Sequence, residues 1–578
     1  MVKLKVMDLF AGAGGLSNGF EQTGKFKVKV AVEINDYARE TYKRNHENNV
    51  ILHKDITRLE YVNNEGEQKP EYKDIDVIIG GPPCQGFSNA NRQQNTLISS
   101  NNQLVREFIR AIEEIKPKAF VMENVRTLES EKHKFYLNDK DEAELKKLNI
   151  EPSEEQIKIG YRNSYSGRLI EFLFNAYQKK IDLKPYMVNK ELLSKLNSLL
   201  RKARKESNRA LVEFLNKETN QKYFTRIINN QWQESHQEFW DNLYHLDWAD
   251  LGDMLKNLIE ENELNLYDLK NRLEEIVETQ KVINKIAEII QNRIILYDIN
   301  INEHTLQVTI KSFNVFNYIK RKFSDLGYVF NGDQYIFNAA QYGVPQERRR
   351  LILMGVRKDS LKAEKVITPK PLFTNKEDFN KIYDAIGDLE KLVPNTDVKE
   401  DEMDRGSNTP IFGSPLNEYL NNNSNQKIYN HVRTESRDVA VKRFQALKEG
   451  QNFHDLDESL KTTYTDHSRT QNTIYRRLSY SQPADTVVNV RKSMWIHPVK
   501  DRAISIREAA RLQSFQDSYK FVGTKDSQYQ QVGNAVPPIL ARCIAEGLLE
   551  SLGIKLEVKT KDIIIPEQMV NTGEYEVH

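Results

Sequence analysis

The chain has 578 residues and a formal net charge of +1, with 39% apolar and 29% charged residues. This composition is typical of a globular protein long enough for several domains. The only cysteines, Cys84 and Cys543, exclude a disulfide framework and a cysteine-rich metal centre. No apolar run is long enough to span a membrane, and no signal peptide precedes the first strand, so we expect a cytoplasmic protein.

The N-terminal segment predicts a pocket for a nucleoside-type cofactor. The strand LKVMDLF is followed by the turn AGAGGLS, in which glycines such as Gly12 and Gly14 allow the backbone to approach a ligand closely. The next two predicted strands end at the carboxylates Glu33 and Asp55. An acidic residue in the position of Glu33 commonly bonds ribose hydroxyls. The alternative for each carboxylate is an exposed charge at a strand end.

Cys84 lies in the stretch GGPPCQGFS, directly after the apolar run IDVIIG. That run predicts a buried parallel strand, and the Pro-Pro pair ends it, so the thiol would lie on a loop where ligands bind. A thiol there can act as a nucleophile, whereas the alternative is a small buried cysteine in a turn. A polar loop follows up to residue 103 and could close over a substrate. The next predicted strand, KAFVMENV, delivers Glu123 and Asn124 to the same edge, and the alternation of strands and helices predicts an α/β fold.

These segments resemble, in order and spacing, the cytosine-5 DNA methyltransferases. The resemblance rests on FAGAGGLS, GPPCQGFS and ENV, and on QYGVPQERRRLILMG, whose Gln-x-Arg-x-Arg motif falls on Gln346, Arg348 and Arg350. RRLSYSQPADTV, REAARLQSF and QVGNAVPP resemble the segments that organise the recognition domain and complete the catalytic domain. The resemblance covers residues 1–130 and 310–550. It implies a doubly wound, mostly parallel sheet of the Rossmann-like class I methyltransferases, with a small irregular target-recognition domain. The unmatched segment between the two parts is a long insertion, which we expect to be helical and by which the chain departs from the compact members of the family.

The resemblance also implies a domain order. The predicted parts are the first part of the catalytic domain (1–130), a helical insertion (131–310), the second part of the catalytic domain (311–368), the target-recognition domain (369–475), the return to the catalytic domain (476–550) and a C-terminal tail (551–578). In the insertion, sparse Gly and Pro indicate long helices. Its basic stretch, residues 195–226, is either one face of a packed subdomain or a contact to the DNA backbone. An acidic-x-Lys triplet at Glu144 to Lys146 is only weak support for a nuclease module, and the tail predicts short strands or an extended arm.

The resemblance assigns roles to the site residues. Cys84 would add to C6 of cytosine, Glu123 would protonate N3, and Arg350 would hold O2 with the support of Arg348. The target cytosine would have to be flipped out of the duplex. The methyl donor implied is S-adenosylmethionine, and no metal is required. The residues implied for the donor are Phe10, Gly12, Gly14, Glu33, Ile34, Asp55, Ile56, Pro82, Leu104, Asn534 and Ala535.

Three functions are compatible with these patterns. The first is a site-specific DNA cytosine-5 methyltransferase that works as a monomer on double-stranded DNA and protects it from a cognate restriction endonuclease, with no membrane partner. The second is an RNA methyltransferase of the tRNA-modifying branch, which has a different Pro-Pro-Cys loop and usually no large insertion. The third is a catalytically silent DNA-binding scaffold, which predicts a lost cysteine or glutamate, although both are present.

Overall fold

The structure is a computed structural model, in which the chain divides into two units. Unit 1 comprises Met1–Cys84, Gln103–Ser130 and Ile319–His578, and unit 2 comprises Gln85–Asn102 and Glu131–Tyr318. The structure describes residues 3–47, 49–83, 100–160, 167–204, 208–230, 232, 245–260, 266–302, 305–399, 401–405, 413–421, 427–461 and 470–565.

The strands and helices are numbered in chain order. The strands are β1 (Leu4–Leu9), β2 (Phe26–Val32), β3 (Ile51–His53), β4 (Val77–Gly80), β5 (Ala119–Val125), β6 (Lys134–Tyr136), β7 (Ser153–Gly160), β8 (Leu296–Asn302), β9 (Thr305–Asn314), β10 (Tyr328–Phe330), β11 (Ile336–Asn338), β12 (Arg349–Arg357), β13 (Glu402–Asp404) and β14 (Lys427–Tyr429). The helices are α1 (Gly15–Glu21), α2 (Asp36–Asn45), α3 (Ser100–Ile115), α4 (Asp141–Lys147), α5 (Gly167–Gln178), α6 (Lys190–Ala203), α7 (Asn208–Leu215), α8 (Glu218–Asn230), α9 (His245–Glu260), α10 (Leu266–Gln291), α11 (Val315–Asp325), α12 (Ile382–Ile386), α13 (Pro415–Asn421), α14 (Asp438–Ala446), α15 (Val490–Ser493), α16 (Ile506–Leu512), α17 (Lys525–Asn534), α18 (Pro538–Ser551) and α19 (Thr560–Ile564).

Unit 1 is built around an eight-stranded sheet with the order β10-β12-β5-β4-β1-β2-β3, in which β11 also pairs with β12. Strands β1 to β5 pair in parallel, whereas β12 runs antiparallel to β5, and β10 and β11 run antiparallel to β12. The apolar runs that predicted buried strands form the centre of the sheet, since β4 is buried throughout. The predicted α/β fold with a mostly parallel sheet is therefore confirmed.

The strand order reverses between β1 and β4. From β1 the chain moves outwards through β2 to β3, and it then crosses back so that β4 pairs with the other side of β1. Loops that follow the two central strands leave a crevice at their carboxyl ends, which is where open α/β sheets bind ligands. The glycine turn follows β1 and Pro82 follows β4, so both predicted regions border this crevice.

Two glycines of α1 allow the C-terminal part of the chain to pack directly on this helix. A Cβ at Gly15 would lie 2.3 Å from the carbonyl oxygen of Val536, and one at Gly19 would lie 2.4 Å from that of Pro538. A Cβ cannot approach a carbonyl oxygen so closely, so α18 and the residues before it require glycine at both places. The two ends of the chain thereby share one hydrophobic core.

The α1–α18 contact predicts a specific loss of stability. Gly19→Ala should lower the free energy of unfolding by about 1–3 kcal/mol, because the added methyl group overpacks the contact with Pro538. Urea denaturation followed by circular dichroism measures the change. Gly413→Ala is the control, since a Cβ there meets nothing within 4 Å, and it should change stability by less than about 0.5 kcal/mol. Equal losses in the two variants would contradict the role of the contact.

Unit 2 combines helices with a four-stranded antiparallel sheet in which β9 pairs with β6, β7 and β8. The scarcity of Gly and Pro corresponds to long helices such as α10, which spans 26 residues. The sheet was not predicted, because the scarcity of Gly and Pro favoured helices throughout the segment, although β9 alternates apolar and polar residues from Leu306 to Lys311. The Glu144 to Lys146 triplet lies in α4, where Glu144 accepts a hydrogen bond from Tyr318 at 2.7 Å.

Much of the basic stretch in unit 2 is engaged in contacts within that unit. Lys195 and Lys202 lie over aromatic rings, and Arg204 forms ion pairs. The partners are Tyr223 for Lys195, Phe214 for Lys202, and Glu274 and Glu278 for Arg204. These contacts support the packed-subdomain alternative for this stretch.

The described parts of residues 369–475 contain only short elements, of which α14 with nine residues is the longest. This agrees with the predicted irregular domain. The prediction of strands or an extended arm after residue 551 is wrong for residues 552–565, because α19 forms there. Asp562 accepts a hydrogen bond from the N–H of Lys559 at 2.8 Å, and Thr560 donates twice to Glu546 of α18, which fixes the first turn of the helix. Within the described residues, no helix has the length and apolarity needed to cross a membrane.

Candidate active site

The glycine turn after β1 adopts a left-handed backbone at three positions. Phe10, Gly12 and Gly14 have φ angles of 57°, 55° and 88°. This conformation costs glycine little, but it costs a residue such as phenylalanine roughly 1 kcal/mol or more, so the surrounding structure must hold Phe10 in place. The N–H of Gly12 donates to Oε2 of Glu33 at 2.8 Å. The turn is therefore tied to the residue that follows β2.

Glu33 keeps hydrogen-bonding capacity although both of its carboxylate oxygens are used. Oε1 accepts from the N–H of Asn35 at 2.7 Å and Oε2 from the N–H of Gly12 at 2.8 Å. Each carboxylate oxygen has a second lone pair, so Glu33 can still accept hydrogen bonds from two hydroxyl groups. The adjacent Ile34 is 67% exposed. A carboxylate acceptor beside an exposed apolar side chain suits a ribose with its attached base.

Asp55 stands after β3, at the next position along the same edge. The N–H and the hydroxyl of Thr57 donate to its Oδ1 at 3.0 and 2.7 Å, and these hydrogen bonds hold the pKa of Asp55 below its ordinary value. Ile56 beside it is buried. Because β1, β2 and β3 are parallel neighbours about 4.8 Å apart, the three strand ends lie side by side. The structure thus brings the predicted residues around the turn together.

Glu123 and Arg350 form an ion pair on neighbouring strands. The antiparallel register places Arg350 opposite Val125 and Glu123 opposite Ile352. The two charged side chains are therefore diagonal neighbours on one face of the sheet. Nε of Arg350 lies 3.0 Å from Oε1 of Glu123, and the two side chains are 16% and 15% exposed. This largely shielded pair lies at the carboxyl end of β5.

The loop after β4 passes directly beside Glu123. A Cβ at Gly81 would lie 2.9 Å from Oε2 of Glu123, and Nδ2 of Asn124 donates to the carbonyl oxygen of Pro82 at 2.9 Å. Cys84, two residues further on, and residues 85–99 of the polar loop lie outside the described residues. The predicted loop ends earlier than expected, because residues 100–103 already belong to α3. The last described residues before Cys84 are therefore held in place by their contacts with Glu123 and Asn124.

Three further residues predicted to line the cofactor pocket, Ala535, Asn534 and Leu104, differ in their surroundings. Ala535 is buried, and its Cβ would lie 3.2 Å from a Cβ at Gly15. Asn534 ends α17 as an exposed residue whose Oδ1 accepts from Gln530 at 2.8 Å. Leu104 is half-buried in α3. Only Ala535 among these three is directly shown to lie against the residues that follow the glycine turn.

Arg348 is buried at 2% exposure and donates to main-chain carbonyl groups rather than to a carboxylate. Nη1 donates to Val487 O at 3.0 Å and Nη2 to Gly533 O at 3.1 Å, while Nε has no hydrogen-bond partner. Burial, together with the positive charge of Arg350, holds the pKa of Arg348 well below its usual value. Arg348 therefore joins two segments from the C-terminal half to the start of β12.

Gln346 strengthens the same junction from two residues away. Its Oε1 accepts from the N–H of Val487 at 2.7 Å, and its Nε2 donates to Leu512 O at 3.1 Å and to the side chain of Gln513 at 2.9 Å. The side chain is fully buried. The predicted Gln-x-Arg-x-Arg motif thus has two members that hold backbone and one, Arg350, that faces Glu123.

The order of these segments agrees with a known family over most of the chain. Residues 4–151 and 300–550 match the family described as C-5 cytosine-specific DNA methylase. The chain belongs to this family. Its enzyme class is DNA (cytosine-5-)-methyltransferase, and its substrate is DNA.

Curated relatives align with almost the entire methyltransferase. The chain is 24% identical to the Type II methyltransferase M.DdeI of Desulfomicrobium norvegicum, over 94% of this chain and 88% of that protein. It is 23% identical to M1.HphI of Haemophilus parahaemolyticus, over 95% of this chain and 87% of that protein. It is also 23% identical to M.XorII of Xanthomonas oryzae pv. oryzae, over 97% and 88% respectively. These alignments extend through the insertion, which the family match omits.

A cluster of polar residues beneath the glycine turn of the methyltransferase was not predicted from the sequence. Its members are Asp8, Ser17, Glu21, Tyr42, His46 and Tyr519, all buried except for the partly exposed Glu21. One signal was available, because Asp8 interrupts the apolar run from Val6 to Leu9 and a buried carboxyl group needs partners. Among the described residues, no group of three or more His, Cys, Asp and Glu is arranged to hold a metal ion.

The junction at Gln346 predicts a large loss of stability in the methyltransferase. Gln346→Ala should lower the free energy of unfolding by about 2–4 kcal/mol, because it leaves the N–H of Val487 buried without a partner and opens a small cavity. Chemical denaturation measures this change. Gln451→Ala is the matched control, since its side chain accepts only from Lys448 in an exposed turn, and it should lose less than about 0.5 kcal/mol. A loss below 1 kcal/mol for Gln346→Ala would contradict the role of the junction.

Proposed function

We propose that this methyltransferase transfers a methyl group from S-adenosylmethionine to carbon 5 of a flipped-out cytosine through a covalent adduct with Cys84. The observation that carries the proposal is the Glu123–Arg350 pair, 3.0 Å apart, beside the loop that leads to Cys84. A carboxyl group and a guanidinium group at one edge match the hydrogen-bonding groups of the cytosine ring. The edge is also the one at which the glycine turn and two further carboxylates lie.

The covalent step begins with the Cys84 thiolate. Its sulfur forms a bond to C6, and the electrons of the C5–C6 double bond become available at C5, while a proton from Glu123 neutralises the charge that reaches N3. Carbon 5 would then bond the methyl carbon as the bond between that carbon and the sulfonium sulfur of the donor breaks. Loss of the C5 proton to solvent restores the C5–C6 double bond as the C6–S bond breaks with return of the electron pair to the thiolate of Cys84, and the N3 proton returns to Glu123.

Arg350 and Arg348 serve this step in different ways. The Arg350 guanidinium has donors beyond the one directed at Glu123, and these can bond O2 of the cytosine and orient its ring. Arg348 is a positioning residue, because its donors are used on Val487 O and Gly533 O. We therefore assign Arg350 contact with the base and Arg348 the placement of the strand that carries it. The carbonyl of Pro82, held by Asn124, can accept from the exocyclic amino group of cytosine.

The residues around the glycine turn fit S-adenosylmethionine. Glu33 would accept from the ribose hydroxyls, Asp55 would accept from the adenine amino group, and Ile34 would cover one face of the base. Gly12 and Gly14 would permit close approach of the methionine end, with Asn534 and Ala535 closing the pocket. Once bound, S-adenosylmethionine supplies an electrophilic methyl group on its sulfonium sulfur.

We further propose that the target is a specific sequence in double-stranded DNA, read by residues 369–475, and that the cytosine leaves the stack for the reaction. Relatives called Type II methyltransferases support a place in a restriction-modification system, with methylation protecting DNA from a cognate endonuclease. The monomeric state and the cytoplasmic location stay predictions. The tRNA-modifying alternative is less well supported, because the Type II methyltransferases align with this chain through the insertion, which the tRNA-modifying branch usually lacks. Methylation of duplex DNA but not of tRNA would separate the two.

The covalent mechanism predicts distinct outcomes for two site variants. Cys84→Ala should abolish cytosine methylation, and Glu123→Gln should lower kcat by roughly 10²- to 10⁴-fold because N3 loses its proton donor. Bisulfite sequencing of plasmid DNA from expressing cells detects the product and identifies the target sequence. Duplex DNA with 5-fluorocytosine should trap wild-type protein in a complex that survives denaturing electrophoresis, since fluorine cannot leave as a proton does.

Cys543→Ala is the matched control for the thiol. Cys543 is buried in α18, and burial raises the pKa of its thiol above the ordinary value. This variant should keep full methylation and full trapping. Retained methylation by Cys84→Ala would overturn the covalent mechanism.

The basic stretch of unit 2 predicts little contribution to DNA binding. Neutralising Arg201, Lys202, Arg204 and Lys205 together should leave the salt dependence of DNA affinity unchanged, because part of this stretch is occupied by contacts within the unit. The measurement is the dissociation constant as a function of salt concentration. Lys179→Gln with Lys180→Gln is the control pair outside the stretch. A slope that flattens by about 0.9 for each lost contact would instead indicate phosphate binding.

A further inference from the structure

A chain of buried hydrogen bonds lies directly beneath the glycine turn. Nδ1 of His46 lies 2.7 Å from Oε2 of Glu21, and its Nε2 lies 3.3 Å from the hydroxyl of Ser17, which also lies within 3.2 Å of Gly14 O. Ser17 and the His46 side chain are buried, whereas Glu21 is 24% exposed. The chain therefore connects a partly exposed carboxylate to the backbone of the turn.

The proton on His46 determines what Ser17 can do. When Glu21 accepts from Nδ1–H of a neutral ring, Nε2 is an acceptor, and it competes with Gly14 O for the single hydroxyl proton of Ser17. When both ring nitrogens carry protons, Nε2 donates to Ser17 instead. The hydroxyl proton is then available to Gly14 O or to the carboxylate of Asp8, which also accepts from Ser17. The positions of the protons in this series of hydrogen bonds thus change the hydrogen bond between Ser17 and the backbone of the glycine turn.

Asp8 adds a second titratable group to the same cluster. Tyr42 donates to its Oδ2 at 3.1 Å, and the tyrosine ring stacks on His46 with centroids 4.0 Å apart. Asp8 is 1% exposed. Burial, with smaller contributions from the charges of Glu33 and Glu21, raises the pKa of Asp8 from 3.8 to about 7. Near neutral pH, a small change in the surroundings of Asp8 therefore shifts the balance between its protonated and its ionised form.

The turn rests against this cluster with no space for a side chain. A Cβ at Gly14 would lie 2.6 Å from Nε2 of His46 and 2.8 Å from the hydroxyl of Tyr519. That hydroxyl donates to the carbonyl oxygen of Ala13. The conformation of the turn is therefore determined by its contacts with the cluster below as well as by its own glycines.

We propose that Asp8 and His46 are positioning residues for methyl-donor binding, and that binding releases a proton from their cluster to solvent. This inference rests on the proposed function, in which the glycine turn binds S-adenosylmethionine. The donor carries a sulfonium and an ammonium charge against one carboxylate, so its net charge is +1. A cation that binds above Asp8 favours the ionised carboxylate, and by linkage its affinity rises as the pH rises through the value at which Asp8 titrates.

The titratable and polar groups that face Asp8 come from several elements packed around it. They are Ser17 and Glu21 on α1, Tyr42 on α2 and His46 directly after it, Glu33 after β2, and Tyr519 after α16. Glu21 and Glu33 act against ionisation of Asp8, whereas the hydrogen bonds from Ser17 and Tyr42 favour it. Proton release therefore requires the positive charge that the donor brings.

Calorimetric titration of the full-length protein tests the proposal. At pH 7, titrations in two buffers of different ionisation enthalpy should show release of up to about half a proton per S-adenosylmethionine bound, because Asp8 is then near half protonation. S-adenosylhomocysteine lacks the sulfonium charge and should release less. Asp8→Asn should bind the donor with no proton release, and His46→Asn should bind it about tenfold more weakly near neutral pH.

His431→Asn is the matched control, because His431 is another buried histidine that contacts a serine hydroxyl, Ser505, at 3.0 Å. It should bind the donor with wild-type affinity and proton release. If Asp8→Asn does not fold, Tyr42→Phe provides the test, since loss of its hydroxyl should move proton release to higher pH. Unchanged proton release in Asp8→Asn, or in Tyr42→Phe, would overturn the inference. No donor binding by the wild-type protein at any pH would instead overturn the proposed function.

Discussion

The antiparallel pairing of β12 with β5 is the constraint on which the active site depends. It places Arg350, which is distant in the chain, diagonally opposite Glu123 so that the two side chains meet at 3.0 Å. Side chains alternate between the two faces of a strand, so a slip of one residue would turn Arg350 to the other face. The core side chains of β12, such as Ile352 and Met354, would turn with it. This register therefore brings together Glu123 and Arg350, the pair to which we assign contact with the cytosine.

A second constraint holds the C-terminal half against the N-terminal half. Close approach at Gly15 and Gly19 lets the last long helix pack on α1, while Arg348 and Gln346 bond the backbone of residues near 487 and 533. A buried guanidinium without a carboxylate partner is costly unless its donors are used. Arg348 meets that condition in part, because Nη1 and Nη2 each donate to a carbonyl group while Nε has no partner. The residues around the proposed donor pocket are consequently assembled from both ends of the chain.

Buried charge also joins residues 369–475 to the catalytic core. Arg511 in α16 bonds Asp388 and Asp517, each at 2.6 Å, and Arg405 contacts the same two carboxylates. Removing one member would leave a buried charge unpaired, which is strongly destabilising. Such a network defines one arrangement of its segments. An irregular region with few long helices gains a defined attachment in this way.

The sequence by itself determined the central strands, the glycine turn and the family, and it predicted the residues of the proposed site, because these depend on local patterns. Apolar runs predict buried strands, and Glu33, Asp55 and Glu123 follow or end such runs. It did not predict the sheet of unit 2, where the scarcity of Gly and Pro favoured helices, or helix α19, which is only five residues long. The resemblance distinguished Arg350 from Arg348, but the contacts that separate them were decided only by the tertiary structure. Val487 O and Gly533 O, which come from distant parts of the chain, use donors of Arg348, whereas the pairing of β12 with β5 places Arg350 beside Glu123.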